Sequence, residues 1–128
     1  MTEQKGNAVG WFEIPVVDME RAMKFYETVL EVKLERSMVG EIDMAWFSMV
    51  DGKGSAGSLV FHKEWYKPSQ EGTLVYFTAY SGDLSNEISR VEAAGGKVLM
   101  PKHSIGEYGF MAVVLDTEGN RIALHSVK

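Results

Sequence analysis

Glu13 is the residue whose type and position most readily suggest chemistry in this sequence. It interrupts an otherwise apolar segment, residues 11–17. A carboxylate buried in such a strand is costly unless it is protonated or paired. Pairing with Arg121 or with a tyrosine hydroxyl is one explanation. The other is an acid or base that faces a ligand and transfers a proton beside a bound carbonyl group. Glu13 is therefore the candidate catalytic residue, with both explanations open.

Aromatic residues indicate a pocket for a small molecule. Trp11, Trp46 and Tyr76 fall at strand positions that could share one inner face, and Tyr108 lies in a loop flanked by Gly106 and Gly109. Such side chains bind flat or apolar molecules through their buried area, while hydroxyl and indole N–H groups set orientation. Plain hydrophobic core is the alternative for each residue alone. As a group, they predict a ligand-binding wall.

The same pattern of strands and helix, which must position these residues, occurs twice along the chain. An apolar strand leads into Asp18 and a helix over residues 19–31. A second strand leads into a helix over residues 84–94 that either Asp83 or Ser85 caps. Gly95 and Gly96 end the second helix. Three strands are predicted after each helix, over residues 32–37, 42–49 and 58–62, and over residues 97–100, 110–115 and 122–126.

This duplication predicts an α+β fold of two tandem βαβββ modules. The modules cover about residues 9–66 and 73–127, and residues 68–72 form the linker between them. Together they make one domain over residues 1–128. A cavity for a ligand is expected where the two modules meet, because seams between half-domains are common binding sites.

Composition limits the partners. The formal net charge is −5, and no basic run occurs that would attract nucleic acid or an anionic membrane. The chain has no cysteine, no signal-peptide pattern and no apolar stretch near the roughly 20 residues that span a bilayer. We expect a cytoplasmic protein that binds a small molecule, and neither nucleic acid nor membrane.

Several short segments together resemble the vicinal oxygen chelate superfamily. They are the strand around Ile14-Pro15-Val16 before Asp18, the pair Phe25-Tyr26, residues 94–98 and residues 116–122. That superfamily includes glyoxalase I, extradiol dioxygenases and bleomycin resistance proteins. The resemblance implies strands that curve around a central cavity, and a homodimer.

The resemblance also implies where a metal would be held. Metal-using members carry His, Gln or Glu at the start of the first strand and within the last strand of each module. Here these positions hold poor ligands for a divalent ion, namely Trp11, Tyr76 or Leu74, Ala123, and Ser58 or Val60. The choice of Leu74 requires that Ser81-Gly82 is an insertion. No metal is expected at the usual positions, and no cofactor is predicted.

A displaced metal site is the alternative. Glu13 lies two residues after Trp11, and His125 lies two residues after Ala123. His62 would match them if Val60 is the counterpart of Ala123. One Glu and two His can hold a divalent ion, provided that all three side chains come within about 2 Å of it.

Two functions remain open from these residues and this resemblance. The first is a small-molecule-binding protein without a metal, as bleomycin resistance proteins are. Its predicted ligand-binding residues are Trp11, Glu13, Trp46, Tyr76, Tyr108 and His125. The second is a metal-dependent lyase or isomerase of the glyoxalase type, acting on a substrate with vicinal oxygens.

Overall fold

The structure is a computed structural model that describes residues 7–50 and 54–128. Its first half contains β1 (Phe12–Pro15), α1 (Met19–Leu30), β2 (Glu35–Val39), β3 (Ile42–Trp46) and β4 (Gly57–Phe61). Its second half contains β5 (Val75–Thr78), α2 (Leu84–Val91), β6 (Lys97–Ser104), β7 (Phe110–Leu115) and β8 (Arg121–Ser126), with one 3₁₀ turn at Gly106–Tyr108. The predicted pair of βαβββ modules is confirmed.

The eight strands form two sheets of four, and both sheets have the same topology. The strand orders are β1-β4-β3-β2 and β5-β8-β7-β6. The first strand of each module pairs in parallel with the last, and the other pairs are antiparallel. β1 and β5 are therefore edge strands, and the seam of the molecule lies between them.

Both helices begin at the predicted aspartates. Asp18 Oδ1 accepts a hydrogen bond from the Arg21 amide at 3.1 Å, and Asp83 Oδ1 accepts one from the Ser85 amide at 2.9 Å. Asp83, rather than Ser85, is thus the cap of α2. α2 ends at Val91, three residues before the predicted end. Gly95 there adopts φ +97°, and the Gly96 amide bonds the Val91 carbonyl at 3.0 Å.

Three strands differ from the prediction by three residues or more. β3 ends at Trp46, three residues before the predicted end at residue 49. β2 starts at Glu35, because the amide of buried Leu34 is taken by the Glu27 carboxylate at 2.9 Å instead of a strand partner. β6 continues to Ser104 through two register shifts, although it contains Pro101. Proline is tolerated there because β6 is an edge strand with bulges.

The hydrophobic core lies between the helices and one face of both sheets. It takes residues from both modules, including Ile14, Leu59, Phe77 and Leu124. Tyr26 of α1 and Phe77 of β5 have ring centroids 5.5 Å apart. Since side chains alternate along a strand, the residues next to these point to the opposite face, where the seam opens. None of the helices in the described ranges is long and apolar enough to cross a membrane.

Candidate functional site

A cleft of about 700 Å³ opens at the seam between the two modules. Its walls come from β1, the start of β5, the segment of residues 67–73 and the start of β8. We call this the seam cleft, and its lining includes Trp11, Glu13, Pro15, Lys67, Leu74, Tyr76, Asn120 and Arg121. Three of the six predicted ligand-binding residues, Trp11, Glu13 and Tyr76, thus line one cleft.

Glu13 is exposed, so the expectation of a buried carboxylate was wrong. Its Oε1 accepts a hydrogen bond of 2.8 Å from the Tyr66 hydroxyl. A tyrosine, and not Arg121, is therefore the partner of this carboxylate. The hydrogen bond to Glu13 is the main cause of a raised pKa of the Tyr66 hydroxyl, so Tyr66 stays protonated and donates to Glu13.

Trp46 does not line the seam cleft but packs against Trp11, a residue of its wall. The indole rings of Trp11 and Trp46 pack edge to face, with centroids 5.1 Å apart. Trp46 itself lines a separate groove of about 610 Å³ beside β2 and β3. Trp11 is therefore the tryptophan that a ligand in the seam cleft would meet, and Trp46 fixes the angle of its ring.

Tyr108 and His125 lie together, but away from the seam cleft. His125 Nε2 is 2.7 Å from the carbonyl oxygen of Tyr108, whose side chain is 70% exposed. Neither residue is among those that line the seam cleft. Tyr76, which is 53% exposed, reaches toward this end through a 3.7 Å contact between its hydroxyl and Met111 Sδ.

A cross-strand row on the cleft side of the first sheet joins Glu13, Ser58 and Trp46. Glu13 pairs with Ser58, and Ser58 pairs with Trp46. Within the described residues, Ser58 Oγ and Trp46 Nε1 are buried without a hydrogen-bond partner. Ser58 entered the sequence analysis only as a possible metal position. The signal for its burial is its place in β4, where every neighbour is apolar or glycine.

Two cationic residues of the seam cleft were not predicted to line a ligand site, and Arg121 was considered only as a partner of Glu13. Lys67 and Arg121 both line this cleft. Arg121 Nη2 donates to the Gly72 carbonyl at 3.0 Å, and its backbone amide bonds the Ser69 carbonyl at 3.4 Å. Residues 68–72 were interpreted as a linker, yet this segment forms a wall of the cleft. A charged residue at the first position of β8 was the available signal.

The turn over residues 116–120 attaches the end of β1 to the second module. Asn120 Nδ2 donates to the Pro15 carbonyl at 2.7 Å, and Asn120 Oδ1 accepts from the Ser69 amide at 3.1 Å. Glu118 Oε1 accepts from the amides of Val17 and Asp18 at 2.8 and 2.7 Å. The seam cleft is thus held at its base by hydrogen bonds between the modules.

The strand registers settle which residues of the two modules correspond. The Val16 amide bonds the Val60 carbonyl at 2.8 Å, and the Ala79 amide bonds the His125 carbonyl at 2.9 Å. Val16 and Ala79 each directly follow the end of their strand, so these two bonds occupy the same place in the two modules and Val60 corresponds to His125. Ser58 and Ala123 lie two residues before Val60 and His125, so Ser58 corresponds to Ala123. The sequence alone left Ser58 and Val60 as alternatives for this position.

The same registers settle the other open alternative. Glu13 pairs with Ser58 as Tyr76 pairs with Ala123. Two residues earlier along each strand, Trp11 corresponds to Leu74. The interpretation of Ser81-Gly82 as an insertion is the one that fits. The four positions implied by the resemblance are Trp11, Ser58, Leu74 and Ala123.

The displaced metal set is not brought together. His62 does not correspond to His125, because Val60 does. Its Nδ1 accepts from the Glu64 amide at 3.2 Å, and its ring stacks on Trp65 at 4.4 Å. Glu13 and His125 have the separate partners given above. In residues 7–50 and 54–128, no group of three His, Cys, Asp or Glu could hold a metal ion.

With this geometry in place, comparison with known proteins identifies the family. The family model described as Glyoxalase/Bleomycin resistance protein/Dioxygenase superfamily matches residues 8–124. The chain belongs to this superfamily. The resemblance found in the sequence is thereby confirmed, and the two-module architecture of this superfamily member is the one expected.

Solved structures show the same fold at low identity. A variant of glyoxalase I from Zea mays is 22% identical, with a TM-score of 0.68 over 92% of this chain and 45% of that one. The chain thus spans about half the length of maize glyoxalase I. TnmS3, an antibiotic binding protein from Streptomyces sp. CB03234, is 23% identical, with a TM-score of 0.63 over 97% of this chain and 98% of that one.

A third structure matches over nearly its whole length. The glyoxalase/bleomycin resistance protein from Albidiferax ferrireducens T118 is 19% identical, with a TM-score of 0.67 over 92% of this chain and 98% of that one. No curated protein matches the sequence. At these identities the solved structures establish the fold alone.

Proposed function

We propose that this member of the superfamily binds a small, flat and largely apolar molecule in the seam cleft, without a metal ion. The observation that supports this most directly is the cleft itself. Its volume of about 700 Å³ lies within the roughly 300–1,000 Å³ typical of small-molecule sites. A ligand of this kind would gain affinity chiefly from the apolar area that it covers.

The walls of the seam cleft suit a planar ligand. Trp11 and Tyr76 come from the two edge strands, and Leu74, Val75 and Pro15 add apolar surface between them. Edge-to-face packing on Trp46 orients the Trp11 ring before any ligand arrives. Such orientation in advance lowers the entropic cost of binding, because fewer side-chain rotations are lost.

The residues at the family's metal positions support binding without a divalent ion. Trp11, Ser58, Leu74 and Ala123 offer one buried hydroxyl, and neither an imidazole nor a carboxylate. Zinc and similar ions take imidazole nitrogen, carboxylate oxygen or thiolate in proteins. These four side chains do not fit such an ion. TnmS3 is named as an antibiotic binding protein, which is consistent with a binding role on this fold.

Binding of a neutral planar probe tests the proposal. The probe is 1-naphthaleneacetamide, and its affinity is measured by isothermal titration calorimetry for wild type, Trp11→Ala and Tyr108→Ala. We expect Trp11→Ala to weaken binding by about 10-fold or more, which is the usual scale for a buried aromatic anchor. Tyr108→Ala removes a comparable ring outside the cleft and should leave the affinity unchanged.

Two results would overturn the proposal. Equal losses in Trp11→Ala and Tyr108→Ala would place the binding site elsewhere. Loss of binding after treatment with a chelator, reversed by a divalent ion, would instead support a metal-dependent lyase or isomerase. A stoichiometric divalent ion in protein purified without chelator would support the same alternative.

A further inference from the structure

We infer that Arg121 forms an anion subsite in the seam cleft, and that the ligand therefore carries a carboxylate beside its flat apolar body. This rests on the proposed function and specifies its ligand class. Two cationic residues of the described ranges line the cleft, Arg121 and Lys67.

Among the residues that the structure describes, Arg121 differs from the other arginines in having no carboxylate partner. The sequence contains four arginines. Arg21 bonds Glu118 at 2.7 Å, Arg36 bonds Asp43 at 2.7 Å, and Arg90 lies 3.6 Å from Glu87. Across the described ranges, Arg121 takes part in no salt bridge. In these ranges its guanidinium is thus without a carboxylate in direct contact.

One hydrogen bond holds the guanidinium at the cleft wall and leaves its buried Nε–H without an acceptor among the described residues. Nη2 donates to the Gly72 carbonyl, which fixes the side chain against the segment of residues 67–73. Nε is buried and has no partner among the described residues. A buried N–H without an acceptor is unfavourable, and a carboxylate could accept from more than one guanidinium N–H group at once.

The acidic residues of the cleft do not replace a ligand carboxylate. Glu13 lines the seam cleft, but its Oε1 accepts from Tyr66. Glu71 lines it too, and neither carboxylate lies within 4.0 Å of the Arg121 nitrogens. These two acids balance Lys67 and Arg121 in formal charge. A ligand with a single carboxylate is therefore a better match than a multiply charged anion.

A matched pair of probes tests this inference. 1-Naphthaleneacetate and 1-naphthaleneacetamide share their ring system and differ in charge. Wild type should bind the acetate about 10-fold more tightly than the amide, since a charge-assisted hydrogen bond in a partly desolvated site contributes on that scale. Arg121→Gln should bind both probes with nearly equal affinity, and Arg121→Lys should retain part of the preference.

Two controls separate Arg121 from its surroundings. Arg36→Gln makes the same substitution outside the seam cleft and should leave the preference unchanged. Lys67→Gln tests the other cation of the cleft and should reduce the preference less than Arg121→Gln. A preference that survives in Arg121→Gln, or that is lost in Lys67→Gln alone, would overturn the inference.

The outcomes also distinguish this inference from the proposed function. Equal binding of both probes by wild type would overturn the anion subsite and leave the apolar binding function standing. Failure of both probes to bind would overturn both. If Arg121→Gln does not fold, ¹⁵N NMR of wild type decides instead. The Nε–H resonance of Arg121 should shift with the acetate and not with the amide, and its failure to shift would refute the assignment.

Discussion

The Tyr26 hydroxyl donates a hydrogen bond of 2.6 Å to Oδ2 of Asp116, joining the first helix to the last turn of the second module. Both residues are buried. Burial, the Asp116 charge and this hydrogen bond hold the pKa of Tyr26 well above its ordinary value. Asp116 Oδ1 also accepts from the amides of Glu118 and Asn120 at 2.8 and 2.9 Å. One carboxylate thus shapes the turn and attaches it to the other module.

Removal of the Tyr26 hydroxyl should destabilise the fold. We expect Tyr26→Phe to lower the free energy of unfolding by about 1–3 kcal/mol, because buried Asp116 loses one donor while the ring still packs. Urea denaturation measures the change. Tyr80→Phe is the control, since Tyr80 is 68% exposed and should change stability by less than about 0.5 kcal/mol. Equal effects would show that the Tyr26–Asp116 bond contributes nothing specific.

Stability should fall in acid because of Glu118. Partial burial raises the pKa of Glu118, but hydrogen bonds from Arg21 and the amides of Asp18 and Val17 outweigh it and lower this pKa from 4.5 to about 2. A carboxyl whose pKa is lower in the folded state stabilises the fold above the unfolded-state pKa. That stabilisation is lost as the pH falls from about 4.5 toward 2.

Urea denaturation at several pH values between 2 and 6 tests this dependence. Glu118→Gln should be less stable than wild type at pH 6, and the two proteins should converge toward pH 2. Asp83 acts in the same direction, because Lys102 and Ser85 lower its pKa to about 2, so the variant keeps some pH dependence. Glu64→Gln changes an exposed carboxylate and should follow wild type. A constant difference between wild type and Glu118→Gln would contradict the assignment.

Gly96 should tolerate no side chain. A Cβ at this position would lie 2.4 Å from the Leu115 carbonyl oxygen and 2.5 Å from Cε1 of buried Phe25. We expect Gly96→Ala to cost at least about 1–3 kcal/mol, the usual range for overpacking. Gly40→Ala is the comparison, since Gly40 has φ +62° but open space around it. Thermal unfolding should show the larger loss at Gly96, and the reverse order would be inconsistent with the packing described.

Glu13→Gln should have little effect on the binding of a neutral ligand. The amide keeps an acceptor for the Tyr66 hydroxyl and the shape of the cleft wall. The affinity for 1-naphthaleneacetamide should therefore change by less than about threefold, as expected when no charge on the ligand is involved. Tyr66→Phe removes the other side of the bond and should also bind normally. A large loss in Glu13→Gln alone would mean that the carboxylate itself contacts the probe.

Much of the fold could be predicted because it is encoded locally. Asp18 and Asp83 cap helices through contacts within three residues, and strand alternation separates Ile14 from Glu13. The strand β2 was harder, because all of its residues are exposed and it carries no apolar pattern. Its start depends on Glu27, a residue from the preceding helix.

For the site, the sequence predicts which residues share one face of a strand, but not where in the folded molecule that face forms a cleft. Alternation correctly grouped Trp11 and Glu13 on one face of β1, and both line the seam cleft. Alternation does not say at which end of the sheet two modules approach each other. Trp46 and His125 lie on the predicted faces of their strands, but they are not among the residues that line the seam cleft. Arg121 enters the cleft through its contact with Gly72, which depends on the path of residues 67–73.

The bonds from Glu118 to Val17 and Asp18 join positions 101 and 100 residues apart. A ribosome makes the start of the first helix 100 residues before the turn that secures it. The first half of the nascent chain therefore lacks the hydrogen bonds that fix its helix start and one wall of the cleft until Glu118 has been synthesised. Closing so long a loop is entropically unfavourable and slows folding.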